Sequence, residues 1–389
     1  MLGSSLETDP EFYNFGGLGC ARLASPMLQA PDLLESRPEE LTNNLLCTMD
    51  SNQYHLRIFL ESTCNFRCIY CNPDAEREDS KVINDLEVME LLSIGYDLGI
   101  KRVHYSGGEP TLRKGLPKII SHAQCLGFTE QVITTNGVLL DRYFDDYVSA
   151  GLSRANISLD SLDKATFYKL TGRDNLENVL SAIKKSAQHF SRTKINVVVM
   201  KENLNELGSF IDFVELYGGK VVPRFIELQT NQPVFYKKDD PINEQHVNQL
   251  EILEALGAIG RIEPILILGE NPNCQYYKLD DSSVVFGIIA NHSRGYPCGD
   301  CHKIRISPQG YMGVCINAEG INVKGSTLAE KRKAMELSLQ RREQLDSILP
   351  NRKHLSTTYG FWRWGDVSKE VSGSQAEVNI KTVVLNKEV

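Results

Sequence analysis

Cys64, Cys68 and Cys71 stand together in the run Cys64-Asn65-Phe66-Arg67-Cys68-Ile69-Tyr70-Cys71. Thiolate suits iron–sulfur clusters, and three thiolates on one loop can hold three irons of a cubane. The fourth iron then has no protein ligand and becomes a place to chelate a small molecule. The competing reading is a structural zinc knuckle, which usually draws four ligands from paired Cys-x2-Cys clips. A first gap of x3 and a missing fourth ligand fit that poorly. A second group, Cys298-Gly299-Asp300-Cys301 with Cys315 thirteen residues further on, again supplies three thiolates. Zinc there would have to recruit His302 or another side chain, whereas two triplets in one chain favour two clusters. The other four cysteines, Cys20, Cys47, Cys125 and Cys274, read as plain thiols.

The elements that must hold these residues alternate strand and helix from His55 onward. Pattern and composition predict strands at His55–Ser62, Arg102–Ser106, Gln131–Thr135, Ala155–Leu159, Lys194–Met200 and Val221–Leu228. Helices are predicted at Ile83–Gly99, Leu116–Leu126, Tyr143–Ala150 and Val247–Leu256, and over the apolar stripes Leu176 to Phe190 and Leu204 to Val214. Six such repeats imply an α/β fold with a parallel sheet and right-handed crossovers. A partial TIM-type (β/α)6 barrel is the natural closure, with sites at the strand C-terminal ends.

The first triplet follows the first strand, and Ser106-Gly107-Gly108-Glu109-Pro110 follows the second. Thr134-Thr135-Asn136-Gly137 ends the third, and Ser158-Leu159-Asp160 the fourth. Paired glycines let backbone approach a ligand closely, and hydroxyls can bind a ribose or carboxylate. Each motif taken alone also reads as a turn or helix cap. Beyond about Asn271 the alternation breaks, and a charged helix is expected near Leu328–Leu349. The expected organisation is an N-terminal arm (1–50), the barrel (51–270), a second cluster region (271–325) and a C-terminal helix and tail (326–389), the cluster region and helix forming a C-terminal extension.

Hydrophobic content of 41% and charged content of 24% are those of a globular chain. A net charge of −8 argues against a polyanion-coating surface, hence against nucleic acid as partner. No apolar run is long enough for a membrane span. Met1 to Pro10 has no basic region followed by an apolar core, as a secretory signal would, and acidic Glu7, Asp9 and Glu11 do not suit a transit peptide. A reducing, cytoplasmic setting is expected.

The triplet and the motifs that follow it resemble the radical S-adenosylmethionine (SAM) superfamily, and one family within it in particular. From about His55 to Ile316 the chain is similar, in order, to the GTP cyclases that make the tricyclic precursor of the molybdenum cofactor. The cysteine run, Ser106-Gly107-Gly108-Glu109-Pro110 and Thr134-Thr135-Asn136-Gly137 carry the likeness. So do Ala150-Gly151-Leu152, Asn156-Ile157-Ser158-Leu159-Asp160, Lys194-Ile195-Asn196-Val197-Val198, Arg224-Phe225-Ile226-Glu227, the second triplet and Ile304-Arg305-Ile306.

The resemblance implies two [4Fe-4S] clusters, on Cys64, Cys68 and Cys71 and on Cys298, Cys301 and Cys315. SAM would bind the first, near Tyr70, Gly107, Gly108, Glu109 and Ser158. The nucleotide would bind the open iron of the second, gripped by Arg57, Thr134, Lys194, Lys303 and Arg305, where fixed cations suit phosphate. Reductive cleavage of SAM would give a 5′-deoxyadenosyl radical that takes a ribose hydrogen and drives cyclisation. A flavodoxin- or ferredoxin-type reductant is implied, and a homodimer is left open. Read without the family, Arg57 and Lys194 are surface charges at strand ends.

The chain also departs from the family. His104 stands where the family carries a nucleotide-binding arginine, Lys303 replaces another, and Gln229 replaces a methionine near SAM. The chain ends Asn386-Lys387-Glu388-Val389 rather than in Gly-Gly, with an aromatic run Phe361-Trp362-Arg363-Trp364 before that. These changes keep the chemistry class and admit a natural-product relative that acts on another phosphorylated or heterocyclic molecule, or on a peptide. A non-enzymatic metal-binding protein is the rival from another class.

Overall fold

A computed structural model describes residues 54–71, 82–229, 240–267, 273–280, 282, 284–294, 301–315, 320–348 and 381–382. The first half runs β1 (His55–Phe59), α1 (Asp85–Asp97), β2 (Arg102–Ser106), α2 (Leu116–Leu126), β3 (Glu130–Thr135), α3 (Phe144–Ala150) and β4 (Arg154–Ser158). It continues with α4 (Lys164–Thr171), α5 (Leu176–His189), β5 (Thr193–Val199), α6 (Leu207–Glu215) and β6 (Val221–Glu227). Strands β1 to β6 lie side by side in sequence order and pair in parallel throughout, as the repeat pattern requires.

The second half is α7 (Gln249–Gly257), β7 (Ile262–Leu266), β8 (Gln275–Leu279), β9 (Val285–Ile289), α8 (Asn291–Arg294), β10 (Lys303–Ile306), β11 (Tyr311–Gly313), β12 (Ile321–Asn322), α9 (Leu328–Ile348) and β13 (Lys381–Thr382). The expected break after Asn271 is therefore not a break in the sheet. Strand β9 pairs in parallel with β6, and β10 in parallel with β1, so the chain extends both edges of the sheet. The parallel array is β10-β1-β2-β3-β4-β5-β6-β9, flanked by β11 and β12 on one side and by β8, β7 and β13 on the other. Among the described residues the order is linear rather than closed.

Local chemistry accounts for the element ends. The Asn84 side chain accepts from Glu87 N–H at 3.0 Å while Glu87 accepts from Asn84 N–H at 3.0 Å, a reciprocal cap that starts α1. Asp163 accepts from Thr166 N–H at 2.8 Å at the start of α4. The strands bury one face completely: Leu56, Ile58, Tyr105, Ile133, Ile157, Ile195, Val197 and Phe225 are at or near zero exposure. Each such side chain contributes about 1.5–3 kcal/mol. That face meets the helices; a Cβ added at Gly95 of α1 would lie 2.8 Å from Leu56 Cδ1. Helix α9 docks on α1 through Lys331–Glu90 at 2.6 Å and Arg332–Asp97 at 2.7 Å. Among the described residues no helix is long and apolar enough to cross a membrane.

Candidate active site

The loop that carries the first triplet is clamped from two sides. On one side, Gly108 N–H donates to Glu61 O at 2.6 Å and Glu109 N–H to Thr63 O at 2.8 Å. Gly107 has φ +142°, and a Cβ on Gly108 would lie 2.1 Å from Thr63 O, so only glycine admits this contact between the two backbones. On the other side, Arg67 N–H and Ile69 N–H donate to the carbonyls of Thr171 and Leu170, each at 2.9 Å, at the end of α4. These are carbonyls that a helix C-terminus leaves without an internal partner. Arg173 Nε adds a bond to Asn65 O at 2.9 Å, and Phe66 packs edge-on against Phe167 at 5.9 Å.

The three thiols form one electrostatic group. Burial raises the pKa of all three, and for Cys68 and Cys71 the neighbouring thiols add to the rise; Cys71 is pushed up to about 11. Thiolate rather than thiol is the ligand, so a metal centre bound here would have to displace those protons. Among the described residues no three His, Cys, Asp or Glu side chains converge on one point that could hold a single metal ion. Thiolates of a multi-iron cluster each face a different iron and need no such common point.

Glu109 is 1% exposed. Its carboxylate accepts from Thr111 N–H at 3.0 Å, Thr111 Oγ1 at 2.5 Å, Thr135 Oγ1 at 2.6 Å and Asn136 N–H at 2.7 Å. Here the side chain ties the glycine loop to the end of β3, while the loop backbone lies against the cysteine run. Tyr70 O–H donates to Asp160 Oδ2 at 2.6 Å, and Asp160 Oδ1 accepts from Val198 N–H at 2.9 Å. Burial lifts Asp160 to about 6. Ser158 sits at the end of β4, in register with Asn196 of β5.

Alternation puts a polar row on the sheet face opposite the helices. It contains Arg57, His104, Thr134, Asn156, Lys194, Asn196, Arg224, Lys303 and Arg305, where the interior of a TIM barrel is normally packed with branched apolar side chains. Arg57 and Arg224 interact electrostatically although β2, β3, β4 and β5 lie between their strands, so the sheet curves around a lumen. Burial, then Arg305 and Arg224, pull Arg57 down to about 9. Burial, opposed by Cys301 and reinforced by the arginines, takes Lys303 to about 8. The Nε atoms of Arg57, Arg224 and Arg305 are buried with no hydrogen-bond partner. Such groups are costly unless an acceptor reaches them.

His104 shares a 2.6 Å hydrogen bond with Thr134 Oγ1, and Asn156 Nδ2 lies 3.4 Å from each of them. Burial, followed by Arg57, His55, Arg224 and Arg154, holds the imidazole well below the usual histidine range, so it is neutral near pH 7. Lys194 is 2% exposed, with Nζ 5.9 Å from the Tyr276 ring centre. Neither Lys194 nor Arg57 is the surface charge that the sequence alone suggested.

Cys301 and Cys315 of the second triplet enter from the opposite end. Cys301 precedes β10, whose Lys303 pairs with His55 at the start of β1, whereas Cys64 follows the end of β1. Cys301 and Cys315 therefore lie toward the end of the lumen opposite Cys64, Cys68 and Cys71, not at the strand C-terminal end. Strand β1 has five residues, roughly 16 Å at ~3.3 Å each. His302, between Cys301 and Lys303, adopts φ +44°, uncommon for a non-glycine residue. Its carbonyl accepts from His55 N–H at 3.0 Å. Cys315 follows β11; Cys298 and the aromatic run near Trp362 and Trp364 lie outside the described residues.

Arg224, Asn196 and Asn156 join the lumen without having been singled out as site residues. Their signal was a polar residue in register inside an otherwise apolar strand, as in Val222-Pro223-Arg224-Phe225.

Residues 60–214 match the family model of the radical SAM superfamily, and residues 222–353 match that of Molybdenum Cofactor Synthesis C. The chain is 31% identical over 271 residues to GTP 3′,8-cyclase of Vibrio vulnificus, covering 68% of this chain and 78% of that protein. It is 35% identical over 272 residues to molybdenum cofactor biosynthesis protein moc-5 of Caenorhabditis elegans, covering 68% of this chain. The match spans only 44% of the nematode protein's length. In fold the chain is similar to SuiB of Streptococcus suis, solved bound to S-adenosylmethionine, with a TM-score of 0.51, 17% identity, and coverage of 77% of this chain and 70% of that one. The chain belongs to the GTP 3′,8-cyclase family of the radical SAM superfamily and is a radical SAM enzyme.

Proposed function

We propose that this enzyme cyclises a purine nucleoside triphosphate, GTP, in molybdenum cofactor synthesis. The observation that carries the reading is the cation group on the concave sheet face: Arg57, Arg224, Arg305 and Lys303 lie close enough to perturb one another, with three buried Nε donors unmatched. A polyphosphate supplies both the compensating charge and the acceptors. Neutral His104, Thr134, Asn156 and Asn196 add directional partners suited to a sugar or base. The relatives named GTP 3′,8-cyclase support the same substrate.

In this reading Cys64, Cys68 and Cys71 would hold one [4Fe-4S] cluster, and Cys298, Cys301 and Cys315 would hold another. SAM bound at the first, with that cluster reduced, would supply radical chemistry for hydrogen abstraction. The chain's own part is orientation. The glycine loop, Tyr70 and Ser158 frame the SAM end, and the arginines fix the triphosphate so that the ribose faces that end. A flavodoxin- or ferredoxin-type protein supplies electrons. Anaerobic incubation of reconstituted protein with reductant and SAM, with and without GTP, tests the assignment by mass spectrometry. GTP-dependent 5′-deoxyadenosine together with an isomerised nucleotide is expected. SAM cleavage that ignores GTP would point instead to another phosphorylated or heterocyclic substrate, in keeping with His104 and Lys303.

A further inference from the structure

We propose that Asn136 is a positioning residue for the Cys64 thiolate, and that its amide N–H makes a cluster held there easier to reduce. The proposal rests on the reading that Cys64, Cys68 and Cys71 hold an iron–sulfur cluster. Asn136 stands just past the end of β3 and is 7% exposed. Its backbone N–H is anchored on the buried Glu109 carboxylate at 2.7 Å. Its Oδ1 accepts from Val138 N–H at 3.1 Å, closing a turn. Only an oxygen can meet that N–H, so the amide nitrogen is turned toward the cysteine loop. There Nδ2 donates to Asn65 Oδ1 at 2.6 Å and reaches Cys64 Sγ at 3.7 Å. The same sulfur accepts from Phe66 N–H at 3.3 Å.

Hydrogen bonds to cluster sulfurs stabilise the added negative charge of the reduced state and so raise the reduction potential. The donor reaches the loop from a different strand end, through a carboxylate that is itself fully bonded. It is therefore held in place rather than carried along with the loop.

The alternative is that Asn136 only closes the turn through Oδ1. Two substitutions separate the roles. Asn136→Ser keeps a hydroxyl able to accept from Val138 N–H but is too short to reach Cys64. Asn136→Asp keeps the turn acceptor and replaces the donor by a charged acceptor. Full-length protein would be reconstituted anaerobically, with iron counted per chain and folding checked by circular dichroism. The midpoint potential would be read by electron paramagnetic resonance on the signal that responds to SAM. The expected result is wild-type secondary structure with a lower midpoint potential in Asn136→Ser and a lower one still in Asn136→Asp. If one variant assembles no cluster, the other is read alone. A wild-type potential in any variant that assembles the cluster overturns the proposal. A wild-type chain that takes up no iron and sulfide would instead sink the cluster reading itself.

Discussion

Replacing Arg57 by methionine should make the nucleotide-free protein more stable while weakening its hold on nucleotide. The guanidinium lies in the lumen beside Arg305 and Arg224, and its pKa falls to about 9, more than about three pH units below a free guanidinium. At ~1.36 kcal/mol per pH unit, holding the charge costs on the order of 5 kcal/mol. That is an upper bound, because the side chain is partly open to solvent and relaxation shares the cost. The cost is present in full below about pH 9 and disappears only as the pH rises toward the pKa of the unfolded chain. Replacing a buried charge by an apolar group of similar length commonly returns about 1–4 kcal/mol. Arg57→Met should therefore unfold later than wild type at pH 7 when no nucleotide is added. Removing one partner of a buried charge pair costs about 2–5 kcal/mol of binding, so GTP affinity should drop roughly 30-fold or more. Thermal unfolding with and without GTP reads both effects: a higher baseline and a smaller ligand-induced rise. A variant that is less stable without nucleotide yet binds GTP as wild type does would refute the reasoning, since Arg57 would then be a structural residue.

Gly108→Ala would drive a methyl group into the Thr63 carbonyl, so the cysteine loop should shift and iron per chain should fall while circular dichroism stays near wild type. His104 refuses a proton that the unfolded chain accepts below about pH 6.5. Wild type should thus lose stability as the pH falls from 7 to 5, and His104→Gln should flatten that slope in a thermal-unfolding series. His302→Asn keeps a residue tolerant of the left-handed region, so iron content should be unchanged; loss of iron would make the imidazole a ligand of the second cluster.

The six-unit repeat was legible because period-2 strands and period-3.6 helices alternate with little ambiguity between His55 and Leu228. Helix α4 escaped notice: Lys164–Thr171 buries only Phe167, Leu170 and Thr171, and its main marks are the Asp163 cap and the turn at Gly172. The strands after Asn271 were missed for a different reason. They are short, and β9 and β10 find parallel partners far away in sequence, which no local pattern encodes. The grouping of Cys64, Cys68 and Cys71 on one loop after β1 was legible from their spacing. The lumen was not, because placing Arg224 near Arg57 needs the curvature of the whole sheet. The carboxylate of Glu109 could not have been read as a tether, since its donors come from Thr111, Thr135 and Asn136 on two different segments.

The most direct test uses GTP deuterated at ribose C3′, in one anaerobic turnover with SAM and reductant. If a ribose radical at C3′ starts the cyclisation, the 5′-deoxyadenosine formed should be one mass unit heavier than with ordinary GTP. Unlabelled 5′-deoxyadenosine, produced whether or not GTP is present, would contradict the assignment of GTP to the cation-lined lumen.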